Sequence, residues 1–181
     1  MKRKAICVVV AATVVAACSE RGGTATEPDL LTVPLYSQHA GGQHEDRNFR
    51  SHARGSEEVP ANDSRAVGQA VFQFSRDGTE LKYRLIVANI QNVTQAHIHL
   101  APAGQNGPVV LWLYPSAPPA MLIPGRSQGV LGEGTVTAAN LVGQLAGQPL
   151  SALRDRILAG NAYVNVHTSQ FPPGEIRGQI H

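Results

Sequence analysis

The chain has 181 residues, 15 basic against 13 acidic side chains and a formal net charge of +2. With 43% hydrophobic and 15% charged residues it is too apolar for a wholly disordered polymer, and its length suits one domain. A content of Gly 18 and Pro 12 favours turn-rich β structure over long helices.

At the amino end, Lys2, Arg3 and Lys4 precede an uncharged apolar run from Ala5 to Ala17, the pattern of a secretory leader. The run falls short of the roughly 18–20 apolar residues that span a bilayer as a helix. The basic excess belongs to this leader. The rest of the chain is slightly acidic and carries no Lys/Arg patch interleaved with aromatics, so nucleic acid is not an expected partner. Cys7 lies inside the run and Cys18 at its end, so an exported chain keeps at most one cysteine and no internal disulfide. Val15-Ala16-Ala17-Cys18 resembles the lipobox of bacterial lipoproteins. The resemblance implies that residues 1–17 are a signal peptide, that Cys18 is acylated, and that the lipid bilayer is a partner. Ser19 stands where an aspartate would imply inner-membrane retention, so the expected place is the bacterial cell envelope, facing away from the cytoplasm, in the outer membrane of a Gram-negative cell.

Residues 18–55 read as a flexible tether, rich in Gly, Thr, Glu, Gln, Arg and His with little apolar periodicity. Within it, Leu30, Leu31, Val33 and Leu35 have the character of an extra edge strand. His39, His44 and His52 are spaced for neither a helix nor a strand face and read as solvated linker.

From residue 56 to 181 the pattern becomes strand-like. Ala70, Phe72 and Phe74 share a face, Ser75-Arg76-Asp77-Gly78 is a turn, and Leu81, Tyr83, Leu85 and Val87 alternate with polar residues, giving an amphipathic hairpin. Further strands are expected at 95–100, 109–114, 129–137, 162–167 and 175–180. A short helix is expected from an N-cap at Ser151 through Leu153, Ile157 and Leu158 to Gly160. These elements predict an all-β fold, an antiparallel Greek-key-like β-sandwich of about seven or more strands with one short helix before the last hairpin.

Ala96-His97-Ile98-His99 carries the main chemical signal. Residues two apart on a strand share a face, so both imidazoles can approach one ion while Ile98 faces the core. In Tyr163-Val164-Asn165-Val166-His167, the residues Tyr163, Asn165 and His167 share a face. If the two strands are neighbours, His97, His99 and His167 form a three-nitrogen site suited to copper or zinc. Asn165, Glu175 and Arg177 are the expected supporting residues, Glu175 by orienting a ring through its free N–H. The same histidines also fit a structural, hydrogen-bonded polar face, with Glu175 and Arg177 as a partly buried charge network beside His167.

These segments, together with Gly104-Gln105-Asn106-Gly107-Pro108 and Pro173-Gly174-Glu175-Ile176-Arg177-Gly178, resemble the chordin-domain (CHRD) family from near Glu58-Val59-Pro60 to the C-terminus. The family takes its name from an extracellular antagonist of bone-morphogenetic proteins and is widespread in bacterial exported proteins. It implies an extracytoplasmic β-sandwich and no particular reaction. The His-x-His strand is also similar to copper/zinc superoxide dismutases, but their dinuclear site needs more histidines and a metal-bound aspartate. Gly125-Arg126-Ser127-Gln128-Gly129 matches a hydrolase nucleophile pattern in the wrong context, with Pro124 before it and a β-like segment after it.

The expected function is a non-enzymatic extracytoplasmic binding module on a lipid-anchored tether, holding copper or zinc through His97, His99 and His167 and meeting an unidentified protein or ligand. The alternative is a metal-free protein-interaction or envelope scaffold whose histidines are structural. No residue is assigned a catalytic role.

Overall fold

The computed structural model describes residues 47–181. The leader, Cys18, the 30–35 patch, His39, His44 and most of the expected tether lie outside the described residues. Seven antiparallel strands follow in chain order: β1 (Asn48–Arg54), β2 (Val67–Phe74), β3 (Leu81–His99), β4 (Val109–Tyr114), β5 (Ile123–Val136), β6 (Tyr163–Thr168) and β7 (Ile176–Gln179). One helix, α1 (Leu150–Leu158), precedes the β6–β7 hairpin. The fold is all-β, as the alternation and turn residues predict. Pairing runs β1–β2–β3–β6–β7 and returns to β1 through Arg54 and Arg177, so the sheet closes in a barrel-like circuit. The layers expected of a sandwich are therefore continuous through shared strands.

The first strand corrects the expected end of the tether. Residues 48–54 alternate with Phe49, Ser51 and Ala53 buried, and they pair with β2 along their whole length. The outward residues Arg50, His52 and Arg54 give the segment its polar composition, which hides a strand whose inward side chains are few and partly small. His52 is thus an outward strand residue.

Two expected strands, at 81–87 and 95–100, are one. The N-terminal half of β3 pairs with β2 and β5, and its C-terminal half with β6 and β4. In the first half the buried residues are the odd ones, Leu81, Tyr83, Leu85 and Val87; then come Ile90, Val93 and Ala96, three apart, and finally Ile98. Register shifts fall between Val87 and Ile90, between Gln91 and Val93, and between Val93 and Gln95. Asn89 and Asn92 sit there at φ 58° and 51°, a conformation that asparagine tolerates better than most residues. Each bulge moves the pattern by one residue, and the net effect is to exchange faces. Without it His97 and His99 would point into the apolar core.

The core includes Leu85, Ile90, Ile98, Leu111, Val164 and Val166. The helix adds Leu150, Leu153 and Ile157 to it. α1 begins one residue before the expected Ser151 cap; Pro149 occupies the N-cap without a side-chain cap bond, and Gly160 at φ 71° ends the helix as expected. β5 starts earlier than expected, at Ile123, and Ser127 lies within it paired with Ile90, a strand position rather than a nucleophile elbow.

Candidate metal centre

β3 and β6 are neighbours, with His97 opposite Asn165, His99 opposite Tyr163 and Gln95 opposite His167. Opposed and diagonal residues on one face of an antiparallel pair are within side-chain reach. Because Ile98, Val164 and Val166 take the core side, the three histidines, Tyr163 and Asn165 share the other. That side is covered as well: β6 is buried at every position, and the histidines are 2%, 8% and 5% exposed in chain order. The result is a polar layer between the sheet and the loops that follow β1, β3 and β6.

The three imidazoles each present one nitrogen within 4.8 Å of the others. Two rings are oriented by backbone carbonyls. His99 Nδ1 lies 2.9 Å from the Gly107 carbonyl oxygen and His167 Nδ1 lies 2.9 Å from that of Pro172, so each Nδ1 carries the proton and donates it. Both Nε2 atoms are then left with bare lone pairs, the arrangement in which a second nitrogen's hydrogen bond fixes a metal-ligating tautomer. Gly107 can bring its carbonyl this close because a Cβ there would collide with the Leu100 carbonyl. The Gly107 N–H also donates to the Tyr163 hydroxyl at 3.1 Å, so one residue's N–H and carbonyl hold both rings of the stacked His99–Tyr163 pair.

His97 Nδ1 stands 3.3 Å from His167 Nε2. The metal-free rings can share a proton across that gap. It also matches the roughly 3.3 Å expected between two nitrogens about 2.0–2.1 Å from one tetrahedral ion. His97 Nε2 and His99 Nε2 are buried with no hydrogen-bond partner. Leaving such atoms unsatisfied costs about 1–3 kcal/mol each, a cost that coordination would remove at His99 Nε2. Burial and the neighbouring imidazoles push His97 down to about 3; burial pushes His99 down to about 4 against the pull of its Gly107 bond, and His167 is also lowered by burial. All three are neutral near pH 7, the form that binds metal.

Aromatic rings enclose the cluster. Trp112 on β4, opposite His97, stands edge-to-face with that imidazole at 4.2 Å between centroids and is half-buried. Arg177, only 1% exposed, lies 3.6 Å over the Tyr163 ring and donates to the Pro102 carbonyl at 3.1 Å and to Asn106 Oδ1 at 3.4 Å.

Of the three expected supporting residues, Asn165 and Arg177 lie in the polar layer, while Glu175 plays a different part. Its carboxylate accepts from Ser64 Oγ at 2.6 Å and Thr168 Oγ1 at 2.7 Å, pinning the β1–β2 loop to β6, and no histidine donates to it. Nor does it form the expected network with Arg177; among the described residues the salt bridge is the exposed Arg84–Glu133 pair. The physical reason is that Glu175 precedes β7, which begins at Ile176, so strand alternation does not carry its side chain to the face of Arg177.

The acidic group that does enter the layer is Glu58, buried against Asn165, whose Nδ2 donates to its Oε2 at 3.3 Å. Its lone position in the β1–β2 loop gave no pattern to read. Trp112 was similarly hidden, inside an apolar run that reads as core. The expected joining of His97, His99 and His167 is what the structure contains.

A family model described as the CHRD domain matches residues 49–180. No curated protein and no solved structure matched the chain.

Proposed function

The chain belongs to the CHRD-domain family, and on that premise we propose that residues 48–181 form a non-enzymatic extracytoplasmic binding module whose His97, His99 and His167 hold copper or zinc. The observation that carries the reading is three buried, neutral imidazoles with nitrogens converging within 4.8 Å, two of them turned by carbonyls so that Nε2 is free. A solely structural role would leave two buried nitrogens without partners. Three nitrogen ligands with a further position for a water or a partner's side chain is a common arrangement for either metal. In this reading Cys18 is acylated and tethers the module to the bacterial cell envelope, on the outer membrane in a Gram-negative cell, where a protein or ligand partner meets it.

Calorimetric titration with zinc and with copper tests the site. The expected result is one ion per chain, lost when His97 and His99 are both replaced by alanine; no uptake of either metal by the parent protein overturns it. Membrane retention of a Cys18→Ala variant would overturn the anchor.

The alternative, a metal-free interaction or envelope scaffold, draws on the hydrogen bonds that the three rings already make. It requires His167→Ala to lower the melting temperature equally with and without added metal.

A further inference from the structure

Beside the imidazole nitrogens, the polar layer contains two more buried atoms without a hydrogen bond, Glu58 Oε1 and Asn165 Oδ1. Both are acceptors and both belong to one pair of side chains, joined at the other end by Asn165 Nδ2 donating to Glu58 Oε2. Both also face Gly174: a Cβ there would stand 2.7 Å from Glu58 Oε1 and closer still to Asn165 Oδ1. Turning the amide over does not remove the conflict, because its oxygen would then face Glu58 Oε2 across the 3.3 Å gap. A carboxylate against an amide therefore leaves a buried acceptor without a donor in either orientation. One proton on the carboxyl resolves it: the acid donates to the amide oxygen while the amide N–H donates to the other carboxyl oxygen.

The charges around the pair point the same way. Arg177 is the cation that bears on Glu58, and it stacks on Tyr163 instead of reaching the carboxyl as an ion pair. Glu175 is occupied by the Ser64 and Thr168 hydroxyls. Burial outweighs the Asn165 bond, the attraction of Arg177 and a backbone hydrogen bond from Val59, and pushes Glu58 up to about 7. Asn165 is also the residue opposite His97, so Glu58 stands one side chain behind the histidine cluster.

We propose that Glu58 is a neutral carboxylic acid paired with Asn165 through two hydrogen bonds, and that a divalent cation entering the three-histidine cluster expels its proton, leaving a carboxylate that balances the buried ion. The second half rests on the metal-binding reading above. The exchange balances: one dication enters, one proton leaves Glu58 for solvent, and the buried charge rises by one unit instead of two. Neutral imidazoles have no proton to release and a metal-bound water stays largely protonated near pH 6, so Glu58 is the source.

Glu58→Gln is the informative variant, because a glutamine amide can donate to Asn165 Oδ1 and accept from Nδ2 as the neutral acid does. The full chain is titrated with zinc near pH 6 in two buffers of different ionisation enthalpy. Close to one proton per zinc is expected from the parent protein and close to none from Glu58→Gln; equal release from the two overturns the expulsion. Metal-free melting at about pH 6 and about pH 8.5 tests the pair by itself. Relative to the parent, the variant should already melt higher at the lower pH, where the unfolded carboxyl is ionised and the folded one is not, and the margin should widen at the upper pH, where the parent carboxyl must ionise in place. A variant that melts lower at both overturns the acid–amide pair. If neither protein takes up zinc, the cluster reading and the expulsion fall together, and the melting result still decides the state of Glu58.

Discussion

From Leu81 to Val87, β3 sends its odd-numbered residues into an apolar core and its even-numbered ones toward solvent; from Ala96 to His99 the even-numbered residues enter the core and the odd-numbered ones enter a covered polar layer. The first half needs only hydrophobic side chains at alternate positions, because apolar burial is non-directional. The second half buries both faces, so each polar atom on its outer side requires a particular partner: the Gly107 carbonyl for His99, His167 for His97, Asn165 for Glu58. The candidate site lies where partners are specific and some atoms are left without one.

The largest effect should come from the shared apolar face. Ile98→Ala, at a fully buried position, should cost about 2–5 kcal/mol in chemical denaturation whether or not metal is added. A loss well below that range would mean the face-exchange in β3 does not anchor the core. On the opposite face, His167→Ala removes the donor to the Pro172 carbonyl and the acceptor for His97 Nδ1, at about 1–3 kcal/mol without metal. That variant should also lose zinc uptake, whereas Ile98→Ala should keep it at temperatures where it is folded. This pair of measurements separates packing from chemistry.

Acid should affect the polar layer selectively. His97, His99 and His167 have folded values lowered from 6.5, so between about pH 6.5 and about pH 4 the unfolded chain binds more protons and stability falls with pH. Glu58 has the opposite sign. Its folded value is raised from 4.5 to about 7, so its contribution is present in full below about 4.5 and is lost as pH rises through about 7. Three groups outweigh one, and the melting temperature should drop on acidification below about pH 6.5. A His97→Phe variant should show a shallower acid slope; an unchanged slope would mean that His97 does not titrate on unfolding as its burial requires. The smallest effect belongs to the solvent side of the first half, where Arg84→Ala breaks an ion pair whose side chains are 55% and 54% exposed. A change of less than about 1 kcal/mol is expected in the same denaturation assay.

Much of this contrast could be read along the chain. Alternation in Phe72, Phe74, Leu81, Tyr83 and Leu85 and the Asp77-Gly78 turn identify the β2–β3 hairpin without any tertiary information, because a two-residue period has to match a half-buried strand. The same period puts Tyr163, Asn165 and His167 on one face of β6. β1 escaped because its outward arginines and histidine resemble a linker. Glu58 escaped because its partner Asn165 lies far away in sequence, and a single acidic residue in a loop has no local pattern.

The amino-acid order therefore determined what local periodicity and composition can determine: an all-β chain, one short helix, and three histidines on two strands. Tertiary structure decided which face those histidines occupy, through the register shifts between Val87 and Gln95. It also decided which acid approaches them, through a loop that brings Glu58 to Asn165. Those outcomes depend on register and loop closure, where one residue's slip reverses a face and a contact is made by segments that share no sequence neighbourhood.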